Sequence, residues 1–189
     1  MADATAPPGA CGLHVVKWPR RAGFHALIRL LLAVLILSGC GNPHIGSSTA
    51  PDFSLEALPV GETQGTAANP VKLSEIYAAS PVLLVFWASW CPSCREEIPV
   101  LNAWHKGYAA LGLKIFGVNV QENPERVAAF TAETPIYYPI LLDRDAAVAG
   151  DYGLMGVPAS VLVAKGGKIL YYGFSLPKNI EELLSVPSV

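Results

Sequence analysis

The chain has 189 residues, with 13 Lys and Arg against 15 Asp and Glu, a formal net charge of −2 and an apolar share of 52%. That length suits one domain of ordinary size with tails, and the apolar share excludes a disordered chain. The near-neutral charge excludes the basic footprint of a nucleic-acid binder, so no nucleic-acid partner is expected.

Residues 1–39 read as a secretory leader. Lys17, Arg20, Arg21 and Arg29 form a basic lead, Leu30 to Leu37 is an unbroken apolar run, and small residues follow. This is the order of a signal peptide. The run is shorter than the roughly 18 apolar residues a membrane span needs. Directly behind it, Leu37-Ser38-Gly39-Cys40 resembles the bacterial lipobox. The resemblance implies cleavage before Cys40 and a lipid on its thiol, giving an exported lipoprotein held on a membrane and facing the periplasm or cell exterior. Several acyl chains anchor firmly where one holds only marginally. Four of the 13 basic residues and one of the 15 acids lie in 1–39, so the chain from Cys40 onward is net −5. Residues 40–50, rich in Gly, Pro and Ser, read as a lipidated tether with no core of its own.

The domain is expected over residues 51–189. A short strand starts at Pro51, with Phe53, Leu55 and Ala57 alternating to one side. Residues 58–70 read as loop. Ser74 is placed to cap a short helix through Tyr77. Pro81 to Trp87 is a continuous apolar run, the signature of a central strand buried on both faces. A helix is expected from Pro92 to about Ala110, with Pro92 in the first turn, where a missing N–H costs nothing. In that helix Cys94, Ile98, Leu101 and Tyr108 share one face, Pro99 should kink the axis, and Gly112 ends the segment. A strand over Leu113 to Val120 follows. Asn123-Pro124 then opens a helix to about Ala132. Residues Ile136 to Asp143 read as strand, weakened at Pro139. After a short helix from Ala146 to Tyr152, two strands flank Gly166-Gly167 as a hairpin, and a helix over Lys178 to Ser185 closes the chain. The alternation gives an α/β fold, a mixed central sheet with helices on both faces.

Cys91 and Cys94 carry the chemistry, and three readings compete for them. A structural zinc site takes four ligands, whereas this is one pair, and neither His44 nor His105 stands at ligand spacing; no metal is expected. A copper site of the Cys-x-x-x-Cys type needs one more intervening residue. A structural staple closing so short a loop removes little chain entropy. The redox reading has a mechanism. Cys91 falls between a buried strand and a helix N-terminus, where free N–H groups and the helix dipole favour thiolate. A free thiol with pKa about 8.5 is a few per cent ionised at neutral pH and one at about 7 is half ionised, a gain of roughly tenfold in attacking species. Cys91 is then the nucleophile. Cys94, one turn in and less exposed, resolves the mixed disulfide.

The stretch Phe86 to Pro99, FWASWCPSCREEIP, resembles the thioredoxin-like family, and more closely its exported TlpA/ResA/DsbE-type reductases. The likeness extends over about Pro51 to Leu184 and includes the GVNV strand, LLDRDAAVAGDYGLMGVP and the GGKILYYG hairpin. It implies a thioredoxin-like fold with a small strand-helix insertion and no cofactor. It places Pro158 in a cis-proline loop beside the cysteines, with Trp90, Pro92 and Val157 on the substrate face. Thioredoxins carry a buried Asp six residues before the first cysteine; Val85 stands there, as in exported members. Those members often carry a Glu three residues after the second cysteine. Glu97 matches it, shares a helix face with Cys94, and is the expected proton relay. Members serving cytochrome c maturation tend to carry Pro-Glu-Thr-Phe at the cis-proline, where this chain has Pro158-Ala159-Ser160-Val161, a departure from an apocytochrome substrate.

The resemblance implies protein disulfides as substrates and a membrane electron donor of the DsbD type. The interval from Val120 to Gly156 is too short for the helical insertion of DsbA-type oxidases, which favours a reductase. Alternatives carried forward are a disulfide oxidase or isomerase, a thiol peroxidase suggested by the opening PDFSL but without the Pro-x-x-x-Thr/Ser-x-x-Cys motif, and a non-catalytic copper-handling lipoprotein.

Overall fold

A computed structural model of the chain describes residues 49–58 and 70–185. The leader 1–39, Cys40 and the tether up to residue 48 lie outside the described residues. The elements are β1 (Ser54–Leu55), β2 (Val71–Lys72), α1 (Leu73–Ala79), β3 (Val82–Trp87), α2 (Pro92–Gly107), β4 (Lys114–Val120), α3 (Pro124–Glu133), β5 (Ile140–Asp143), α4 (Ala147–Asp151), β6 (Ala159–Val163), β7 (Ile169–Gly173) and α5 (Ile180–Leu184).

The main sheet has the order β5-β4-β3-β6-β7. Strand β3 runs parallel to β4 and antiparallel to β6; β4 and β5 are parallel, and β6 and β7 form an antiparallel hairpin. All six residues of β3 are buried, as its unbroken apolar run demands. Alternation splits them between two cores. Leu83, Val85 and Trp87 face a cluster with Cys94, Ile98 and Leu101 of α2, Val127 of α3 and Ile180 of α5. Val82, Leu84 and Phe86 face a second cluster with Leu73 of α1 and Val148 and Ala149 of α4. Burying such a side chain is worth about 1.5–3 kcal/mol, so this strand is the main organiser of the fold. Its central place also puts the chain that leaves it, residues 88–91, in the middle of one end of the sheet.

The strand-helix addition is β5 with α4, and β5 forms the sheet edge beside β4. That edge is covered: Leu58 N–H donates to Ile140 O at 2.8 Å and Leu142 N–H to Glu56 O at 3.0 Å. At the other end of the sheet Gly166 and Gly167 take φ of 90° and 92°, the left-handed backbone a tight hairpin turn requires.

Several boundaries differ from expectation. Thr49 and Ala50, assigned to the tether by composition, belong to the fold. Thr49 pairs with Lys168, Ala50 N–H donates to Gly167 O at 2.8 Å, and Ala50 is buried. Helix α1 starts at Leu73 rather than being capped by Ser74. The Ser74 N–H is instead taken by the Asp52 carboxylate at 2.7 Å, a long-range cap that no local pattern signals. The strand expected over Ile136 to Asp143 begins only at Ile140. Pro139 has no N–H to give to a ladder, although its carbonyl takes the Gly117 N–H. Helix α2 runs continuously through Pro99, which is solvent-exposed, and ends at Gly107. A separate 3-10 turn over Ala109–Leu111 leads to Gly112, whose φ of 78° ends the segment.

Candidate active site around the Cys91–Cys94 disulfide

Parallel strands β3 and β4 deliver two loops, 88–91 and 121–123, to the same end of the sheet, and antiparallel β6 starts there. The site forms where these three meet. Cys91 is the N-cap of α2 and is joined to Cys94 in a disulfide, with Cα atoms 5.3 Å apart. The Cys94 N–H points at Cys91 Sγ over 3.3 Å. That N–H is one of the free donors of a helix start, already aimed at the sulfur that would carry negative charge once the disulfide opens. Pro92 occupies the first helical turn and is exposed.

The Val157–Pro158 peptide is cis, and Val157 O lies 3.7 Å from Cys91 Sγ. Trp90 is 57% exposed and Met155 93% exposed. They line an open groove of about 310 Å³ together with Gln121, Gly156 and Val157. The groove borders Val157, whose carbonyl faces Cys91 Sγ, and its walls are largely apolar. Cys91 and Cys94 are 4% and 3% exposed, so the difference in accessibility expected between them is not seen. In the disulfide form Cys91 Sγ is turned inward onto Cys94 and packed under Val157. Among the described residues, no three His, Cys, Asp or Glu side chains gather as a metal-binding set.

Glu97 is half-buried on α2, one turn beyond Cys94, while Glu96 is exposed. Burial pushes the Glu97 carboxyl above its ordinary value, and a hydrogen bond from the Leu176 backbone offsets this only in part. Its Oε2 has no hydrogen-bond partner among the described residues. The Tyr138 hydroxyl is pushed up strongly by burial and further by the nearby Glu97 charge.

A second carboxylate, Glu122, was not singled out by the sequence. It lies two residues past the end of β4 and its side chain is 2% exposed. Its Oε2 accepts the Ser89 N–H at 2.6 Å and an N–H of Asn119 Nδ2 at 2.8 Å; its Oε1 accepts the Ser89 hydroxyl at 2.5 Å. Arg126 Nε lies 2.9 Å from Oε1 and 3.3 Å from Ser89 Oγ. Burial alone would raise this carboxyl. The Ser89 side-chain and backbone bonds, the Asn119 bond and the Arg126 charge outweigh it and hold the group below its ordinary value. Two signals were present: Asn119 is a lone amide inside the apolar run of β4, which needs a buried partner, and Glu122 and Arg126 stand four apart at a helix start.

The model of the AhpC/TSA family matches residues 47–172. The thiol-disulfide oxidoreductase ResA of Geobacillus thermodenitrificans is 34% identical over 122 residues, which is 65% of this chain and 65% of that protein. The chain thus aligns with just under two thirds of that relative's length. The thioredoxin-like protein YneN of Bacillus subtilis is 31% identical over 142 residues, 72% of this chain and 77% of that protein. Among solved structures, the thioredoxin domain of a thiol-disulfide oxidoreductase from Bacteroides vulgatus superposes with a TM-score of 0.62 at 26% identity, covering 74% of this chain and 98% of that one.

Proposed function

From the premise that the chain belongs to the AhpC/TSA family, with a thioredoxin-like fold, we propose that it is an exported, membrane-anchored thiol-disulfide oxidoreductase that reduces protein disulfides. The observation that carries this is the Cys91–Cys94 disulfide at the start of α2, beside the Val157–Pro158 loop and the exposed Trp90. In the dithiol form the Cys91 thiolate attacks one sulfur of a substrate disulfide. The substrate S–S bond breaks, a Cys91–substrate bond forms, and the departing sulfur takes a proton. Cys94 then loses its proton to Glu97 and attacks Cys91 Sγ; the Cys91–substrate bond breaks, the second substrate sulfur leaves as a thiolate and takes the proton from Glu97, and the intramolecular disulfide remains. Two electrons and two protons have passed to the substrate. A membrane donor of the DsbD type returns them.

Trp90, Pro92 and Val157 form the face on which the substrate lies. Glu97 suits the relay because it is half-buried, raised by burial and without a partner on Oε2. Cys40 carries the lipid that keeps the domain at the membrane. Mass spectrometry of the membrane-bound form is expected to find diacylglyceryl-Cys40 at the N-terminus; an unmodified Ser or Gly there would refute the anchor.

The function is tested by insulin reduction with dithiothreitol as donor. Wild type should accelerate it, Cys91→Ser should abolish the acceleration, and Cys94→Ser should accumulate the Cys91 mixed disulfide on a non-reducing gel. No acceleration, together with peroxide consumption or tight Cu(I) binding by the dithiol, would replace this reading with a peroxidase or a copper carrier.

A further inference from the structure

Ser89, two residues before Cys91, is held at every polar atom it has. Its N–H and its hydroxyl both go to Glu122, and its carbonyl accepts Arg95 Nε of α2 at 2.7 Å. Between Ser89 and Cys91 the chain makes one tight turn, closed by Cys91 N–H on Ala88 O at 3.1 Å. The position of Cys91 Sγ against the α2 start and Val157 O is therefore set by where Ser89 is held. The hold is rigid at its far end. Asn119 is fully buried within β4, and Gln121, with φ of 57°, turns the chain so that Glu122 comes back under the loop.

We propose that Glu122 is a positioning residue which, acting through Ser89, keeps the Cys91 loop in place when the disulfide opens. This rests on the oxidoreductase reading above. In the oxidised form the loop is tied by the sulfur–sulfur bond, by Glu122 on the Ser89 N–H and hydroxyl, and by Arg95 on the Ser89 carbonyl. In the dithiol form the sulfur–sulfur bond is gone and the Glu122 and Arg95 ties remain. Removing the Glu122 hold therefore costs the dithiol form more than the disulfide form and shifts the couple toward the disulfide. The couple is measured against glutathione: the Cys91–Cys94 disulfide and two glutathione thiols exchange two electrons and two protons to give the dithiol and glutathione disulfide.

A purely structural Glu122 would weaken both forms equally and leave this equilibrium unmoved. A purely electrostatic Glu122 would act in the opposite sense, since deleting a negative charge near Cys91 favours its thiolate and hence the dithiol.

The experiment is the glutathione equilibrium of the wild type, Glu122→Gln and Ser89→Ala, with urea unfolding of each in both redox forms. Ser89→Ala keeps the charge, removes one of the two bonds from Ser89 to Glu122 together with the weaker contact from Arg126, and serves if Glu122→Gln does not fold. Both variants should move the equilibrium toward disulfide, Glu122→Gln by about tenfold or ~30 mV for two electrons, with the greater stability loss in the dithiol form. An unmoved equilibrium with equal losses in both forms overturns the inference. So does a shift toward dithiol in Glu122→Gln with Ser89→Ala unchanged. A wild-type pair that does not exchange with glutathione at all overturns the oxidoreductase reading and this inference with it, whereas normal exchange with unmoved variants overturns this inference alone.

Discussion

Glu122 and Glu97 reach the same end of the sheet by different routes and meet opposite treatment. Glu122 comes from the loop after β4, is fully enclosed, and has its carboxylate filled by Ser89, Asn119 and Arg126. Glu97 comes from α2, is half-open, and leaves Oε2 without a partner among the described residues. Burial pushes both carboxyls up, but donors reverse the shift for Glu122 alone. The difference teaches that burial by itself does not set the role of a carboxylate. One that is fully bonded stays charged and holds structure; one that is partly dehydrated and only partly bonded takes up a proton more readily and is suited to chemistry.

The comparison breaks most visibly at Glu122. Glu122→Gln keeps one acceptor oxygen but turns the other into an NH2 facing the donors of Ser89 or Asn119, and it removes the charge paired with Arg126, so it should lower the unfolding free energy by about 2–3 kcal/mol at pH 7, read from urea midpoints. The sign with pH follows from the lowered pKa. The Glu122 contribution is complete above its ordinary value of 4.5 and is lost as pH falls through its lower folded value. The gap between wild type and variant should therefore close in acid.

Gly117→Ala tests the Glu97 side. A Cβ at Gly117 would stand 2.9 Å from Tyr138 Cε2 and 3.0 Å from Trp87 Nε1, too close without displacement. The variant should lose about 1–2 kcal/mol. Since Tyr138 feels the Glu97 charge, it should also alter the pH profile of insulin reduction.

Glu97→Gln should have the smallest effect on stability, and of opposite sign. A raised folded pKa means that the contribution is complete below 4.5 and is lost as pH rises through the folded value. A permanently neutral Gln should thus match wild type near pH 4 and exceed it by roughly 0.5 kcal/mol at pH 7. Disulfide reduction should nevertheless slow near neutrality, with Glu96→Gln silent. Equal stability curves and equal rates for Glu97→Gln and wild type would remove the contrast.

What the sequence made legible is what one segment decides for itself. The run Val82 to Trp87 can only be a central strand, Gly166-Gly167 can only turn, and Asn123 with Pro124 starts α3 through its own side chain at 2.8 Å from Arg126 N. Cys91 and Cys94 were equally plain, because their chemistry depends on spacing and on a helix start. Contacts between distant segments stayed hidden. Asp52 caps a helix 22 residues away, and Glu122 grips a serine 33 residues back. Glu97 stands out in the sequence because the family resemblance marks a Glu three residues after Cys94, one helical turn on; Glu122 does not, because its partner lies 33 residues back on the neighbouring loop.

The docking of Thr49 and Ala50 on the Gly166–Gly167 turn has a directional meaning. The turn lies beyond Val163, which stands opposite Val82, the first residue of β3, while Cys91 lies beyond the last. Six residues of strand span about 20 Å. The polypeptide therefore enters the domain at one pole and the sulfurs sit at the other, as a handle and a working tip. Anything carried ahead of Thr49 holds the molecule by its blunt end, so a bulky fusion placed there should leave the groove beside Trp90 open to large, folded partners.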